Sequence, residues 1–295
     1  MRKEAEGMES TEKSVHTGYN AQRLFLKIFL TLILWGIGIL MIIPFLWMLS
    51  TSFKGMNDVF TFPIEWIPRN PTLKGYQALF SGSISFFTYF FNSVRVSFFA
   101  LLGTLFSCTM AGYAYAKINF FGRNKIFMIK LMTTMLPGMV TMLPTYMIYS
   151  RLGLINTHAA LWIGSFCGGT FGVFLMRQAF VTIPDALIDA ARVDGAGHLR
   201  TFWSIALPNV KTSVATLLFM YFLWTWNDYE RPLLYIWSRN LYTLPLAVKQ
   251  FSDDQMQNYP AIMAANIFML LPIMIFFISC QKFFVESLVT SGIKG

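Results

Sequence analysis

The sequence predicts an all-α polytopic membrane protein with six transmembrane helices, and three observations lead there. Only 13% of the 295 residues are charged, against 55% hydrophobic and 17% aromatic. A water-soluble domain carries about 25% charged residues and could not cover itself with so few. Six apolar stretches reach the roughly 20 residues that crossing about 30 Å of hydrocarbon requires. The lysines and arginines divide unevenly between the loops on the two sides of those stretches. A mean hydropathy of +0.53 agrees, and soluble enzymes, collagens and disordered chains are excluded.

In order along the chain, residues 1–23 form a polar tail carrying Glu4, Glu6, Glu9 and Glu12 among Arg2, Lys3, Lys13 and Arg23. The first span covers 24–50. Its apolar run continues without a small-residue exit, so it reads as a span that stays, not a cleaved signal. Residues 51–85 form a loop with Pro63, Pro68, Pro71 and several aromatics, read as a structured, non-helical cap. The remaining spans run from Phe86 to Ala116, Ile126 to Tyr149, Ala159 to Phe180, Val210 to Ile236 and Ala261 to Phe284. Residues 86–284 thus make a core, interrupted by a loop at 181–209, and 285–295 form a terminal tail.

Six spans place both termini on one side. With that side inside, the inner segments hold 14 lysines and arginines and the outer segments 7. Lys27 and Arg95 fall within spans. The positive-inside bias therefore puts both termini in the cytoplasm and accounts for the net charge of +9 without nucleic acid. Cys108, Cys167 and Cys280 lie apart in apolar stretches and read as small buried hydrophobes, neither disulfide frame nor metal site. Gly164, Gly168 and Gly172 recur at four-residue spacing, predicting one bare helix face for close packing. Pro44, Pro137, Pro144 and Pro272 sit inside spans, where each can kink a helix.

The inner loop at 181–209 is longer than a bundle turn needs. Pro184 suits the first turn of a helix, and Asp185 complements its positive dipole end. Ile183, Leu187, Ala190 and Ala191 fall along one side at helical spacing, and Gly195 can take the positive φ that stops a helix. A second segment runs from Leu199 to Leu207 and ends at Pro208. The product is a short, small-sided helix with acidic residues, presented to the cytoplasm.

Asp189-Ala190-Ala191-x3-Gly195-x9-Ile205-x-Leu207-Pro208 resembles the Glu-Ala-Ala loop of ATP-binding-cassette (ABC) importer permeases. The spacing matches throughout, with Asp189 in place of the usual Glu. Asp194-Gly195-Ala196 further resembles the carbohydrate-uptake subgroup, typified by the second permease of maltose-type importers. Other stretches similar to the permease family are Asn92-Ser93, Ala111-x-Tyr113-Ala114, Phe121-Gly122-Arg123 and Trp226-Asn227-Asp228-Tyr229-x2-Pro232-Leu233. The resemblance covers about residues 24–295.

It implies the type I ABC importer permease fold and a transport subunit of a bacterial cell membrane, not an enzyme. It also implies four kinds of partner: a homologous second permease, two ATPase subunits, an extracytoplasmic solute-binding protein and membrane lipid. ATP and magnesium would be bound by the ATPase subunits, and this chain would hold no cofactor. The loop would form a coupling helix seated in a groove of the ATPase. Asp185, Asp189, Ala190, Ala191, Asp194, Gly195, Ile205, Leu207 and Pro208 are the candidate coupling residues. Asp is one methylene shorter than Glu, so the ATPase contact of Asp189 could be shifted. The plainer alternative is a local Asp189–Arg192 ion pair on a solvated helix.

Arg95 within a span is a candidate cavity group or substrate counter-charge; snorkelling or pairing with a partner subunit is the alternative. If it meets substrate, an acidic sugar is the natural cargo, because Arg binds carboxylates bidentately. Trp224, Trp226, Asn227, Asp228, Tyr229 and Glu230 suit either a saccharide path or an interfacial aromatic belt. Asn92, Arg95, Trp226 and Asn227 are the candidate translocation residues. No P-loop, metal-ligand or nucleophile motif is present, so this chain does not hydrolyse ATP. A secondary transporter would place acidic or histidine residues mid-membrane, whereas every Asp and Glu here falls in a tail, a loop or a span end. The function that follows is uptake of a carbohydrate, an oligosaccharide first. Amino acids, peptides and phosphate esters remain alternatives.

Overall fold

The computed structural model describes the backbone of residues 2–82, 84–254 and 258–292 and the side chains of 24–82, 84–252 and 258–283. The side chains of both tails, 1–23 and 285–295, lie outside that set. Every regular element among the described residues is helical. The order is α1 (Arg2–Ser52), α2 (Lys74–Phe80), α3 (Phe86–Lys117), α4 (Arg123–Met132), α5 (Gly138–Arg151), α6 (Ala159–Trp162) and α7 (Thr170–Val181). After these come α8 (Asp185–Val193), α9 (His198–Thr201), α10 (Leu207–Asn209), α11 (Lys211–Trp226), α12 (Glu230–Tyr235), α13 (Leu244–Asp254) and α14 (Tyr259–Gly292).

Four stretches of the described residues are long and apolar enough to cross a membrane: Leu24–Ser52, Phe86–Lys117, Ala159–Val181 and Tyr259–Phe283. The total is six if two bent pairs each count as one span. The chain bends by 103° between Met135 and Gly138 and by 82° between Asn209 and Lys211. The first bend falls at Pro137, whose extended ψ of 135° opens α5; proline removes the donor that would have continued the helix. Pro44, Pro144 and Pro272 sit inside unbroken helices.

Four expectations are corrected. The fourth span breaks at Gly168, which takes φ +68°, so Gly164, Gly168 and Gly172 do not share one helix face. The fifth span ends at Trp226, and the chain beyond it forms the separate helices α12 and α13. The 51–85 cap includes a helix, α2, whose Gly75 packs against the backbone of Pro260. Cys167 is exposed rather than buried.

α3 is the axis of the fold. Its residues enter three buried clusters stacked along its length. Cys108 and Tyr113 pack with Met176, Phe180 and Phe202 at one end; Val96 packs with Leu161 and Tyr235; Phe86 packs with Trp226 and Ala265. Two glycines allow the close approach. A Cβ on Gly103 would fall 2.5 Å from the Phe166 ring, and one on Gly112 would fall 2.6 Å from Met176 Cβ. α1, by contrast, packs on α14 and leaves its apolar side chains, Leu24 to Leu49, largely exposed.

Candidate coupling surface and transport cavity

α8 stands at the end of the molecule where α3 finishes. Pro184 precedes it in an extended conformation (φ −58°, ψ 134°) and Asp185 is its first residue. Its other end closes with both bonds of a Schellman cap. The Ala196 N–H donates to the Ala191 carbonyl at 2.9 Å and the Gly195 N–H to the Arg192 carbonyl at 3.0 Å. Gly195 sits between them at φ +79°, a conformation that side chains with a Cβ resist.

Ile188 and Ala191 form the buried side of α8, and Ile188 packs in the cluster of Phe180, Ile183 and Phe202. Leu187 and Ala190, expected beside Ile183, face outward instead. The chain leaves Pro184 at an angle that turns Ile188, not its neighbour Leu187, onto α7. The outward face therefore carries Leu187, Asp189, Ala190, Val193 and Asp194, with Val193 87% exposed. Asp189 pairs with Arg192 at 3.4 Å, both side chains exposed. Ile205 and Leu207 are half-buried against that same cluster, and Pro208 is exposed beside them. Asp185 is tied to Lys117 of α3 at 2.6 Å. The hydrogen bond from Lys117, and then its charge, hold the Asp185 carboxyl below the usual carboxylate range.

A cavity of about 580 Å³ opens between α5, α6 and α12. Thr141, Thr145 and Tyr149 line it from α5, Gly164 from the turn after α6, and Asp228, Glu230 and Arg231 from α12 and the residues before it. Arg231 Nε donates to Asp228 Oδ2 at 2.6 Å, so one wall is a fixed dipole of carboxylate and guanidinium. Tyr149 and Tyr235 meet edge to face at 5.4 Å. Hydroxyls, a charged pair and aromatic faces are the groups a sugar needs, since each hydroxyl stripped of water must find a replacement hydrogen bond.

None of the four expected translocation residues lines this cavity. Asn92 is buried and its Nδ2 donates to the carbonyls of Asn240 at 2.8 Å and Tyr242 at 3.0 Å. Trp226 is 1% exposed, stacked on Phe222, with its indole N–H on the Met269 carbonyl at 3.0 Å. Both side chains are committed to packing inside the subunit. Asn227 is exposed and bonds back to the Leu223 carbonyl. Arg95 is exposed on α3 and makes no hydrogen bond or ion pair with a described residue. Of the group from Trp224 to Glu230, Asp228 and Glu230 reach the cavity. Thr141, Thr145, Tyr149 and Arg231 were missed; the signal for the first three was a polar stripe at four-residue spacing on an apolar helix.

Comparison with known proteins gives a consistent result. The profile of the family described as binding-protein-dependent transport system inner membrane component matches residues 103–289. The arabinooligosaccharides transport system permease protein AraQ of Bacillus subtilis (strain 168) is 31% identical over 271 residues, 91% of this chain and 96% of that one. The galactooligosaccharides transport system permease protein GanQ of the same strain is 29% identical over 279 residues, 93% and 98%. The sn-glycerol-3-phosphate transport system permease protein UgpE of Yersinia enterocolitica is 31% identical over 242 residues, 80% and 86%. A chain from the crystal structure of a bacterial ABC transporter involved in import of the acidic polysaccharide alginate superposes with a TM-score of 0.78. It is 21% identical, covering 90% of this chain and 98% of that one, which is a likeness of fold.

Proposed function

The chain belongs to the binding-protein-dependent transport system inner membrane components, and from that premise we propose that it is the permease subunit of an ABC importer for an oligosaccharide. The observation that carries the cargo class is near-full-length similarity to permeases named for arabinooligosaccharides and galactooligosaccharides. A phosphate ester is the second reading, favoured by equal identity to the sn-glycerol-3-phosphate permease over a shorter stretch.

In this reading a homologous second permease completes the pathway and two ATPase subunits bind ATP and magnesium. An extracytoplasmic binding protein delivers the sugar. The outward face of α8, from Leu187 to Asp194, seats in a groove of the ATPase, with Asp189 turned towards a basic group there. Closure of the ATPase pair then drags α8 and tips the permease from inward-facing to outward-facing. The 580 Å³ cavity supplies sugar-facing groups along the path.

Asp189→Lys reverses the charge offered to the groove, and Gly195→Val forces a β-branched residue into positive φ. Each should abolish accumulation of labelled oligosaccharide in reconstituted vesicles. Wild-type uptake in both would remove the docking role of α8. Uptake of a phosphate ester but no saccharide would replace the cargo class while leaving the docking role intact.

The orientation follows from the basic residues: both termini and α8 in the cytoplasm, 51–85 outside. In intact cells, on a cysteine-free background, a membrane-impermeant thiol reagent should label Asn70→Cys and spare Arg200→Cys. The reverse pattern overturns the topology.

A further inference from the structure

Lys117 is the last residue of α3, and its side chain is only 5% exposed. Its Nζ donates to two oxygens at once: the Ile183 carbonyl at 2.6 Å and Asp185 Oδ1 at 2.6 Å. Both bonds are charge-assisted and short. One accepting oxygen is backbone from the turn before α8, and the other belongs to the first residue of α8. A single buried ammonium therefore grips the point where α8 begins. A cation near the start of α8 opposes that helix's dipole, whereas at the end of α3 it is favoured. Lys117 belongs electrostatically to α3 and reaches across to α8, and the Asp185 carboxylate offsets the mismatch.

The far end of α3 is gripped in the same manner. Asn92 donates to the Asn240 and Tyr242 carbonyls, and the Leu244 N–H donates to Ser93 Oγ at 2.7 Å. Lys117 lies 25 residues further on, roughly 37 Å along the helix. Between the two, Gly103 and Gly112 bring α3 into close packing with Phe166 and with α7. α3 is thus fastened to α8 at one end and to the 240–244 segment at the other, at both ends by side chains bonded to main-chain atoms.

We propose that Lys117 is the positioning residue that makes α8 and α3 move as one body, so that displacement of α8 reaches the 240–244 segment through α3. The proposal rests on the reading of α8 as the ATPase-docking helix and adds the part that carries its motion. The two acceptors of Lys117 both belong to this chain.

The test uses the complete importer in proteoliposomes and reads solute accumulated per ATP hydrolysed. Lys117→Met keeps the length and apolar packing of the side chain and removes both bonds. The complex should still purify with its ATPase subunits and hydrolyse ATP, but with uptake per ATP lower by about tenfold, the size of a typical coupling term. Lys117→Arg should recover part of the ratio. Lys117→Met with Asn92→Ala should be no worse than Lys117→Met alone, because the two fastenings act in series. An unchanged ratio for Lys117→Met overturns the proposal. Loss of the ATPase subunits on purification also does, since Lys117 would then merely build the docking surface. Should Lys117→Met fail to accumulate, Asp185→Ala carries the test: it removes one of the two bonds, and an unchanged ratio there is equally fatal. If Asp189→Lys and Gly195→Val also leave uptake intact, the docking reading is what has failed.

Discussion

Gly112→Val should leave almost no folded protein in the membrane. A Cβ at this position would lie 2.6 Å from Met176 Cβ and 2.9 Å from the Arg177 backbone nitrogen. The obstacle is the main chain of α7, which cannot rotate aside as a side-chain tip can, so α3 and α7 must separate. That separation disrupts the cluster at the Lys117 end of α3, where Cys108, Tyr113, Met176 and Phe180 are all buried. Overpacking costs typically 1–3 kcal/mol and occasionally more, and a helix-backbone clash puts this substitution at about 3 kcal/mol or above. The measurement is membrane-fraction yield together with the thermal midpoint in detergent. Gly36→Val is the control: nothing lies within 4 Å of a Cβ there, and both quantities should stay near wild type. Equal behaviour of the two variants would show that the α3–α7 contact is not the constraint it is taken to be.

Asn156→Ala should be the next most damaging change. Among the described residues Asn156 is the non-glycine residue at positive φ, +62°. Its Oδ1 accepts the N–H groups of Trp237 at 3.0 Å and Ser238 at 2.9 Å, and its Nδ2 donates to Ser238 Oγ at 2.8 Å. Its own N–H reaches the Tyr235 carbonyl at 2.7 Å. Alanine forfeits three side-chain bonds, at about 1 kcal/mol each, and must hold a left-handed conformation that costs a further 1 kcal/mol or so. The sum is about 3 to 4 kcal/mol. Asn156→Gly loses the same bonds without the conformational term and should be milder by about 1 kcal/mol. A thermal midpoint for Ala no lower than for Gly would refute the contribution of φ. Because Tyr235 lines the cavity, both variants should also slow uptake.

The spans were legible because hydropathy over 20 residues is a property of the sequence alone. Their interruptions were only half legible. Hydropathy does not see Gly168 adopt positive φ or the chain turn at Pro137, since apolar composition is the same on both sides of each break. The limits of α8 could be read from Pro184 and Gly195, because capping is a local matter of backbone angles. Its buried side could not, since Leu187 and Ile188 are chemically alike and the entry angle of the chain chooses between them. Trp226 shows the same limit from another direction. An indole near a span end reads as an interfacial anchor until α14 supplies the Met269 carbonyl, 43 residues away. Lys117 carried no signal of its partners, being one more lysine at the end of an apolar helix. Its two acceptors lie 66 and 68 residues on.

The seating of α1 on α14 sets a timetable for biosynthesis. The first span and its intrachain neighbour are the first and last long helices of the chain, with about 207 residues between Ser52 and Tyr259. At about 5–20 residues per second, α1 waits roughly 10 to 40 seconds after its own synthesis before that neighbour exists. Throughout that interval its apolar length must persist in lipid with early contacts only near its end, Trp47 on Trp66 and Ser52 on Tyr76. Its 29-residue apolar portion has a hydropathy of 2.5, as high as any span in the molecule, and its glycines at 36 and 38 have no neighbour to accommodate. The composition of α1 thus suits a segment that spends the longest time with little company in the nascent protein.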